Sequence, residues 1–194
     1  MTPLVAKSIF AFALIFWALL RYPYQQRASR TPVRKSARNL TEKWLVAAAT
    51  LGLGVFPIIY VATGFPAFAE HEFVTELGYI GTLLFAVALW LFFLAHHRLG
   101  RNFSVSLDIR NDHILVSGGI YAVVRHPMYL AFWLWAIAQL LLLPNWFAGL
   151  IGIFGFGMLY VGRIEREEAL MLQTFGDDYR TYINSTARLV PWIY

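Results

Sequence analysis

Residues 112–129 (DHILVSGGIYAVVRHPMY) bring three chemically distinct side chains to the threshold of a long apolar run. They are the cation Arg125, the titratable ring of His126 and the helix breaker Pro127. Proline is tolerated in the first turn of a helix, where its missing N–H costs little. The free N–H groups of such a helix start, together with Arg125, could accept a carboxylate. The alternative is that Arg125 and His126 only anchor a helix end at a membrane interface.

Four rings around this threshold could contact a ligand. His113 and His126 could hydrogen-bond to one, and Tyr121 and Tyr129 could stack on one. Tyrosines are also common in the aromatic belts of membrane proteins, so a purely structural interpretation stays open.

Arg163 and Glu167 form a second candidate pair, one helical turn apart on one face. On a solvated helix such a pair is common and stabilises by only about 0.2–0.5 kcal/mol. This pair, however, follows directly after an apolar run, and charged groups at membrane depth tend to face a cavity or a functional path. In that interpretation Arg163 clamps a carboxylate, while Glu167 holds Arg163 in place or attracts a cationic cofactor.

The sequence favours no metal site. It contains no cysteine, which excludes disulfides, thiolate chemistry and cysteine-based metal sites. His96 and His97 are adjacent, and neighbouring side chains on a helix point about 100° apart, so one metal cannot easily take both.

The elements that would position these residues are membrane-spanning helices. The chain is 59% hydrophobic and only 14% charged, whereas soluble domains carry about 25% charged residues. A spanning helix needs about 20 mostly apolar residues. The last two of the five candidate runs are short and joined by Pro144-Asn145, which predicts a tight helical hairpin. The runs are 4–20, 44–64, 77–95, 128–143 and 146–161.

The charges predict a topology. Residues 21–43 and 96–127 are basic, whereas residues 65–76 carry three glutamates and no Lys or Arg. The positive-inside rule then places the N-terminus outside and the C-terminus in the cytoplasm. The net charge of +5 could also suit nucleic acid, but bases beside predicted spans favour orientation and anionic lipid headgroups instead. We therefore expect a multi-pass protein of the lipid bilayer with no nucleic-acid partner.

The segment after the fifth run predicts a helix–turn–helix. A helix to about Thr174 would end at Gly176, since glycine readily takes the left-handed conformation, and a short helix would follow over 177–184. The predicted fold class is all-α, with about five spans and this cytoplasmic helix–turn–helix. Residues 1–194 are expected to form a single integral membrane domain, with the chemistry in 96–194. Glycines in the fifth run permit close helix contact within or between copies, which leaves the oligomeric state open.

The ordered motifs resemble the isoprenylcysteine carboxyl methyltransferase family of integral membrane enzymes over roughly residues 96–191. The matching pattern is His113-x-Leu115-Val116, Gly119-Ile120-Tyr121, Arg125-His126-Pro127-x-Tyr129, Arg163-Ile164 with Glu167-Glu168, and Phe175-Gly176-Asp177-x-Tyr179-x-x-Tyr182. Residues 1–95 match only as generic spans.

The resemblance implies a cofactor, S-adenosylmethionine, with S-adenosylhomocysteine as its product. It assigns catalysis to Arg163 and Glu167, with Arg163 contacting the methyl-accepting substrate. A further cofactor contact upstream of His113 is not placed, Ser106 being one candidate. The implied cofactor contacts are His113, Ile114, Leu115, Val116, Tyr121, His126, Pro127, Met128, Tyr129 and Glu167.

The activity implied is methylation of the carboxylate of a lipophilic, isoprenylcysteine-like substrate, a prenylated cysteine being one candidate. An already ionised carboxylate needs no general base; it needs orientation and a water-poor site. Two alternatives stay open. One is a methyltransferase of the same architecture acting on a phospholipid amine, for which Arg163 would be a poor neighbour. The other is a non-enzymatic membrane scaffold.

Overall fold

Apolar helices dominate the architecture of the computed structural model, which describes residues 1–30, 33–36, 40–100, 108–110 and 114–191. Four helical segments are long and apolar enough to cross a membrane, and a fifth apolar helix is shorter. The four are Pro3–Arg27, Leu40–Thr63, Thr75–Leu99 and Trp146–Phe175, and the short one is Pro127–Leu142. The predicted fold class is confirmed, and the protein is an integral, multi-pass membrane protein.

The elements follow in a simple order. Helix α1 spans Pro3–Arg30, α2 spans Leu40–Thr50 and continues through a π-helical turn, Leu51–Val55, into α3, Phe56–Thr63. Helix α4 spans Thr75–Leu99, α5 spans Pro127–Leu142, α6 spans Trp146–Phe175 and α7 spans Asp177–Ser185. Two short strands, β1 (Val33–Ser36) and β2 (Asp108–Arg110), pair antiparallel. This ribbon was not predicted from the sequence.

The α5–α6 hairpin is tight because Asn145 satisfies the start of α6. Its side-chain oxygen accepts a hydrogen bond from the Ala148 N–H at 2.9 Å, and its amide donates to the Pro66 carbonyl at 2.7 Å. Asparagine is a preferred N-cap residue for this reason. The predicted turn at the other end of α6 is also present, since Gly176 has a φ of +55° and separates α6 from α7.

Glycines let α2 and the π-helical turn after it approach α6 closely. A Cβ on Gly155 would lie 2.5 Å from the Ala48 carbonyl oxygen, and one on Gly52 would lie 2.4 Å from the Ile151 carbonyl oxygen. The fully buried Gln139 of α5 ties this contact together, because its amide donates to the carbonyl of Gly52 at 3.0 Å and to that of Ala148 at 2.6 Å. The three helices therefore form one rigid side of the bundle.

Candidate active site

A cavity of about 300 Å³ lies between the middle of α1, α2 with the π-helical turn after it, the first half of α5 and the second half of α6. The end of the bundle at which α5 begins is called the basic end below, and α7 lies against it. Every predicted site residue within the described chain lines the cavity; these are Ile114, Leu115, Val116, Tyr121, His126, Pro127, Met128, Tyr129, Arg163 and Glu167. His113 and Ser106 lie outside the described residues.

Arg163 and Glu167 form the polar core of the cavity wall. Arg163 Nε lies 3.4 Å from a Glu167 carboxylate oxygen, and the Tyr129 hydroxyl donates a hydrogen bond to the same oxygen. The side chains of Arg163 and Glu167 are 10% and 31% exposed, so the pair is largely buried and is not a fully solvated surface pair. Buried charges of this kind are costly unless paired, which accounts for the surrounding partners.

Glu42, at the start of α2, is the second carboxylate on Arg163. Its Oε1 lies 3.6 Å from Arg163 Nη1, and its side chain is 5% exposed. Glu42 was not predicted from the sequence to be a site residue. The available signal was that Glu42 is the one acid among the seven basic residues of 21–43.

Glu168 contacts a separate group of basic side chains. Its carboxylate lies 3.0 Å from Arg125 Nε, 3.2 Å from His126 Nε2 and 2.6 Å from Arg188 Nη2. Arg125 could have accepted the carboxylate of a ligand, but in the structure its carboxylate partner is Glu168 of the same chain. Arg125 also donates to the carbonyls of Ile183 and Thr186, so it ties the start of α5 to the C-terminal end of α7.

Helix α7 closes the cavity from the basic end. The Tyr182 hydroxyl donates to the Tyr121 carbonyl at 2.6 Å. Burial raises the pKa of Tyr182 to about 12, so the hydroxyl remains protonated, and a donor, even at alkaline pH. Burial likewise raises the pKa of Tyr121 and of Tyr179. Tyr179 and Tyr182 also line the cavity, a role that the sequence motif did not suggest.

The deeper part of the cavity is apolar and aromatic. Leu14 and Trp17 come from α1, Leu53 from the π-helical turn, and Trp135 from α5. Trp17 and Trp135 meet edge to face, with ring centroids 5.1 Å apart. The polar wall at the basic end is therefore continuous with an apolar compartment between the helices.

Comparison with known proteins assigns the chain to a protein family. The sequence profile of the isoprenylcysteine carboxyl methyltransferase family matches residues 65–173, more than half of the chain. The chain belongs to the isoprenylcysteine carboxyl methyltransferase family. The matched segment contains Arg125, Tyr129, Arg163 and Glu167, whereas Glu42 precedes it.

Individual members of the isoprenylcysteine carboxyl methyltransferase family share moderate identity with the chain. A protein-S-isoprenylcysteine O-methyltransferase of Schizosaccharomyces pombe is 38% identical over 96 residues, which cover 48% of this chain and 41% of that protein. The Saccharomyces cerevisiae protein of the same name is 35% identical over 116 residues, covering 59% and 48%. The matches to these two proteins thus span somewhat under half of their length.

The fold is also that of a solved family member. The structure of a eukaryotic intramembrane Ras methyltransferase, isoprenylcysteine carboxyl methyltransferase, superposes with a TM-score of 0.59 at 23% sequence identity. The superposition covers 100% of this chain and 69% of that one. Both halves of the chain, including the first 95 residues that matched only as generic spans, therefore share the fold of this family.

Proposed function

We propose that the protein is an S-adenosylmethionine-dependent O-methyltransferase that methylates the carboxylate of a lipophilic, isoprenylcysteine-like acid. The observation that carries the proposal is the joining of two environments in one cavity. A buried arginine with polar and aromatic neighbours lies at one end, and an apolar compartment between helices lies at the other. A water-soluble cofactor and a lipid-borne acid need these two environments to meet.

The residues of the polar end fit the proposed cofactor. The volume of the whole cavity, about 300 Å³, lies at the lower end of the range for small-molecule sites. Glu167 offers a carboxylate to a cationic ligand, and the face of Tyr121 or Tyr129 would favour a sulfonium by cation–π attraction. The contacts would be Ile114, Leu115, Val116, Tyr121, His126, Pro127, Met128, Tyr129 and Glu167, with His113 from the adjoining segment.

The reaction is an in-line displacement. When bound, the cofactor would supply a methyl group on a positively charged sulfur, which leaves as the neutral thioether of S-adenosylhomocysteine. One oxygen of the acceptor carboxylate forms the new C–O bond, so no proton has to be removed. Arg163 orients this carboxylate through its guanidinium, a geometry suited to bidentate contact. Glu42 and Glu167 hold Arg163, and the close-packed helices keep water from the reacting atoms.

The chemistry of Arg163 favours a carboxylate over an amine. A phospholipid amine would have to lose a proton before attack, and a fixed guanidinium beside it would not assist that loss. The names of the family relatives point the same way, towards a prenylated cysteine as the acceptor. The basic end would face the cytoplasm, with the N-terminus outside, as the charge distribution predicts.

The proposal is tested by methyl transfer in detergent. Purified protein is given S-adenosylmethionine labelled in its methyl group, with N-acetyl-S-farnesylcysteine or phosphatidylethanolamine as acceptor. We expect label in the first acceptor alone, released as methanol by mild base because it is held as an ester. Base-stable label in the phospholipid would establish the amine alternative. No transfer to either acceptor by folded protein would favour the scaffold.

A further inference from the structure

Arg21 is a cation in the cavity that the motifs do not account for. It belongs to α1, outside the segment that matches the family profile, and it lines the same cavity as Arg163. Its guanidinium carbon lies 5.1 Å from the centroid of the Trp17 ring. A cation–π contact of this kind orients a guanidinium without neutralising it.

The carboxylates of the site are distributed unevenly among its arginines. Arg163 has Glu42 and Glu167 beside it, and Arg125 has Glu168. Within the described part of the chain, Arg21 forms no ion pair with any carboxylate. It is also near enough to Arg163 for the two positive charges to repel each other. An anion bound between them would relieve that repulsion.

The position of Arg21 along α1 indicates what kind of anion would fit. Leu14, Trp17 and Arg21 follow the i, i+3, i+7 spacing of one helix face, and all three line the cavity. At 1.5 Å per residue, the stripe extends about 10 Å from Leu14 to Arg21. It is apolar for most of this length and cationic at the basic end. It therefore complements a lipophilic acid that lies along the helix, with the apolar tail on Leu14 and Trp17 and the carboxylate at Arg21.

We propose that Arg21 is a second binding residue for the acceptor carboxylate, acting beside Arg163. This inference rests on the proposed function. Arg163, already balanced by two carboxylates, would orient the reacting group, and Arg21 would provide the uncompensated charge that draws an acid into the cavity. The tail would then lie along Trp17 and Leu14.

The test compares Arg21→Gln with Arg27→Gln, an exposed arginine of the same helix that does not line the cavity. Calorimetry measures the Kd of N-acetyl-S-farnesylcysteine, and of its carboxamide, for enzyme loaded with S-adenosylhomocysteine. Loss of a charged hydrogen bond costs about 1.5–3 kcal/mol, so we expect Arg21→Gln to weaken acid binding about ten- to hundredfold. Carboxamide binding should change little, and Arg27→Gln should behave as wild type.

Gel filtration and the thermal unfolding midpoint in detergent serve as the folding controls for each variant. If Arg21→Gln fails them, Arg21→Met, which keeps the packing on Trp17, is measured in its place with the same expectations. Unchanged acid affinity in an active, folded variant would overturn the proposal, as would equal weakening of acid and carboxamide. Loss of S-adenosylhomocysteine affinity in an Arg21 variant that passes the folding controls would also overturn it, by assigning Arg21 to the cofactor site. The failure of wild-type protein to methylate the acid would instead refute the proposed function.

Discussion

Arg163 owes its position to carboxylates from two helices, Glu167 on its own helix and Glu42 on α2. Half of this arrangement was predictable. The i, i+4 spacing after an apolar run indicated Arg163 with Glu167 as a pair near the membrane. Glu42 was not predictable as its partner, because 121 positions separate it from Arg163 and no local pattern links them.

Replacement of Arg163 by alanine tests the assigned substrate contact. We expect Arg163→Ala to lower kcat/KM for the acid about a hundredfold or more, since truncating one member of a buried charge pair typically costs 2–5 kcal/mol. The Kd of S-adenosylhomocysteine should remain nearly unchanged. Arg166→Ala, an exposed position on the same helix, is the matched control. Full activity of purified Arg163→Ala would refute the role of Arg163.

The helix α2 contributes to the site through Glu42. We expect Glu42→Gln, which keeps the shape but removes the charge, to lower kcat more than tenfold while leaving S-adenosylhomocysteine affinity unchanged, because Arg163 would lose one of the two groups that orient it. The measurement is steady-state kinetics alongside calorimetry. Glu165→Gln, exposed on α6, should behave as wild type. A Glu42→Gln variant with unchanged kcat would show that Glu167 alone holds Arg163.

The packing of α2 against α6 makes a second prediction about elements. Gly155→Ala places a Cβ 2.5 Å from the backbone oxygen of Ala48, whereas Gly157→Ala meets only the edge of the Trp133 ring at 3.4 Å. Overpacking typically costs 1–3 kcal/mol. We therefore expect thermal unfolding in detergent to show a clear loss of stability for Gly155→Ala and little for Gly157→Ala. Equal stability of the two variants would contradict the close helix contact.

The sequence predicted the elements better than their contacts. The five apolar helices follow from composition and from the breaks at Pro127 and Pro144, and the turn at Gly176 follows from glycine chemistry. The π-helical turn at Leu51–Val55 was not predicted, although it contains two glycines and is followed by Pro57, which has no N–H to donate to a preceding carbonyl. The Gly52 carbonyl instead accepts a hydrogen bond from Gln139 of another helix, a contact that no local pattern predicts. The β1–β2 ribbon likewise pairs segments about 75 positions apart, which periodicity cannot detect.

The whole molecule separates its charges between two ends, and this makes the orientation testable. Since the chain has no cysteine, single-cysteine variants report without background. We expect Phe68→Cys, 87% exposed between α3 and α4, to react with a membrane-impermeant thiol reagent on intact cells. Asp178→Cys, exposed on α7, should react only after permeabilisation, and wild-type protein should not react. The reverse labelling pattern would show that the protein has the opposite orientation in the membrane.

We propose that the cavity at the basic end binds S-adenosylmethionine. The most direct measurement is calorimetric binding of S-adenosylhomocysteine to wild-type protein in detergent and to the Glu167→Ala variant. Glu167 lines the cavity and accepts the Tyr129 hydrogen bond. We therefore predict a wild-type Kd in the micromolar range, weakened about tenfold or more by the substitution, as expected for loss of a charged contact. No binding by folded wild-type protein would rule out this cofactor site, and equal affinity in the variant would rule out Glu167 as a cofactor contact.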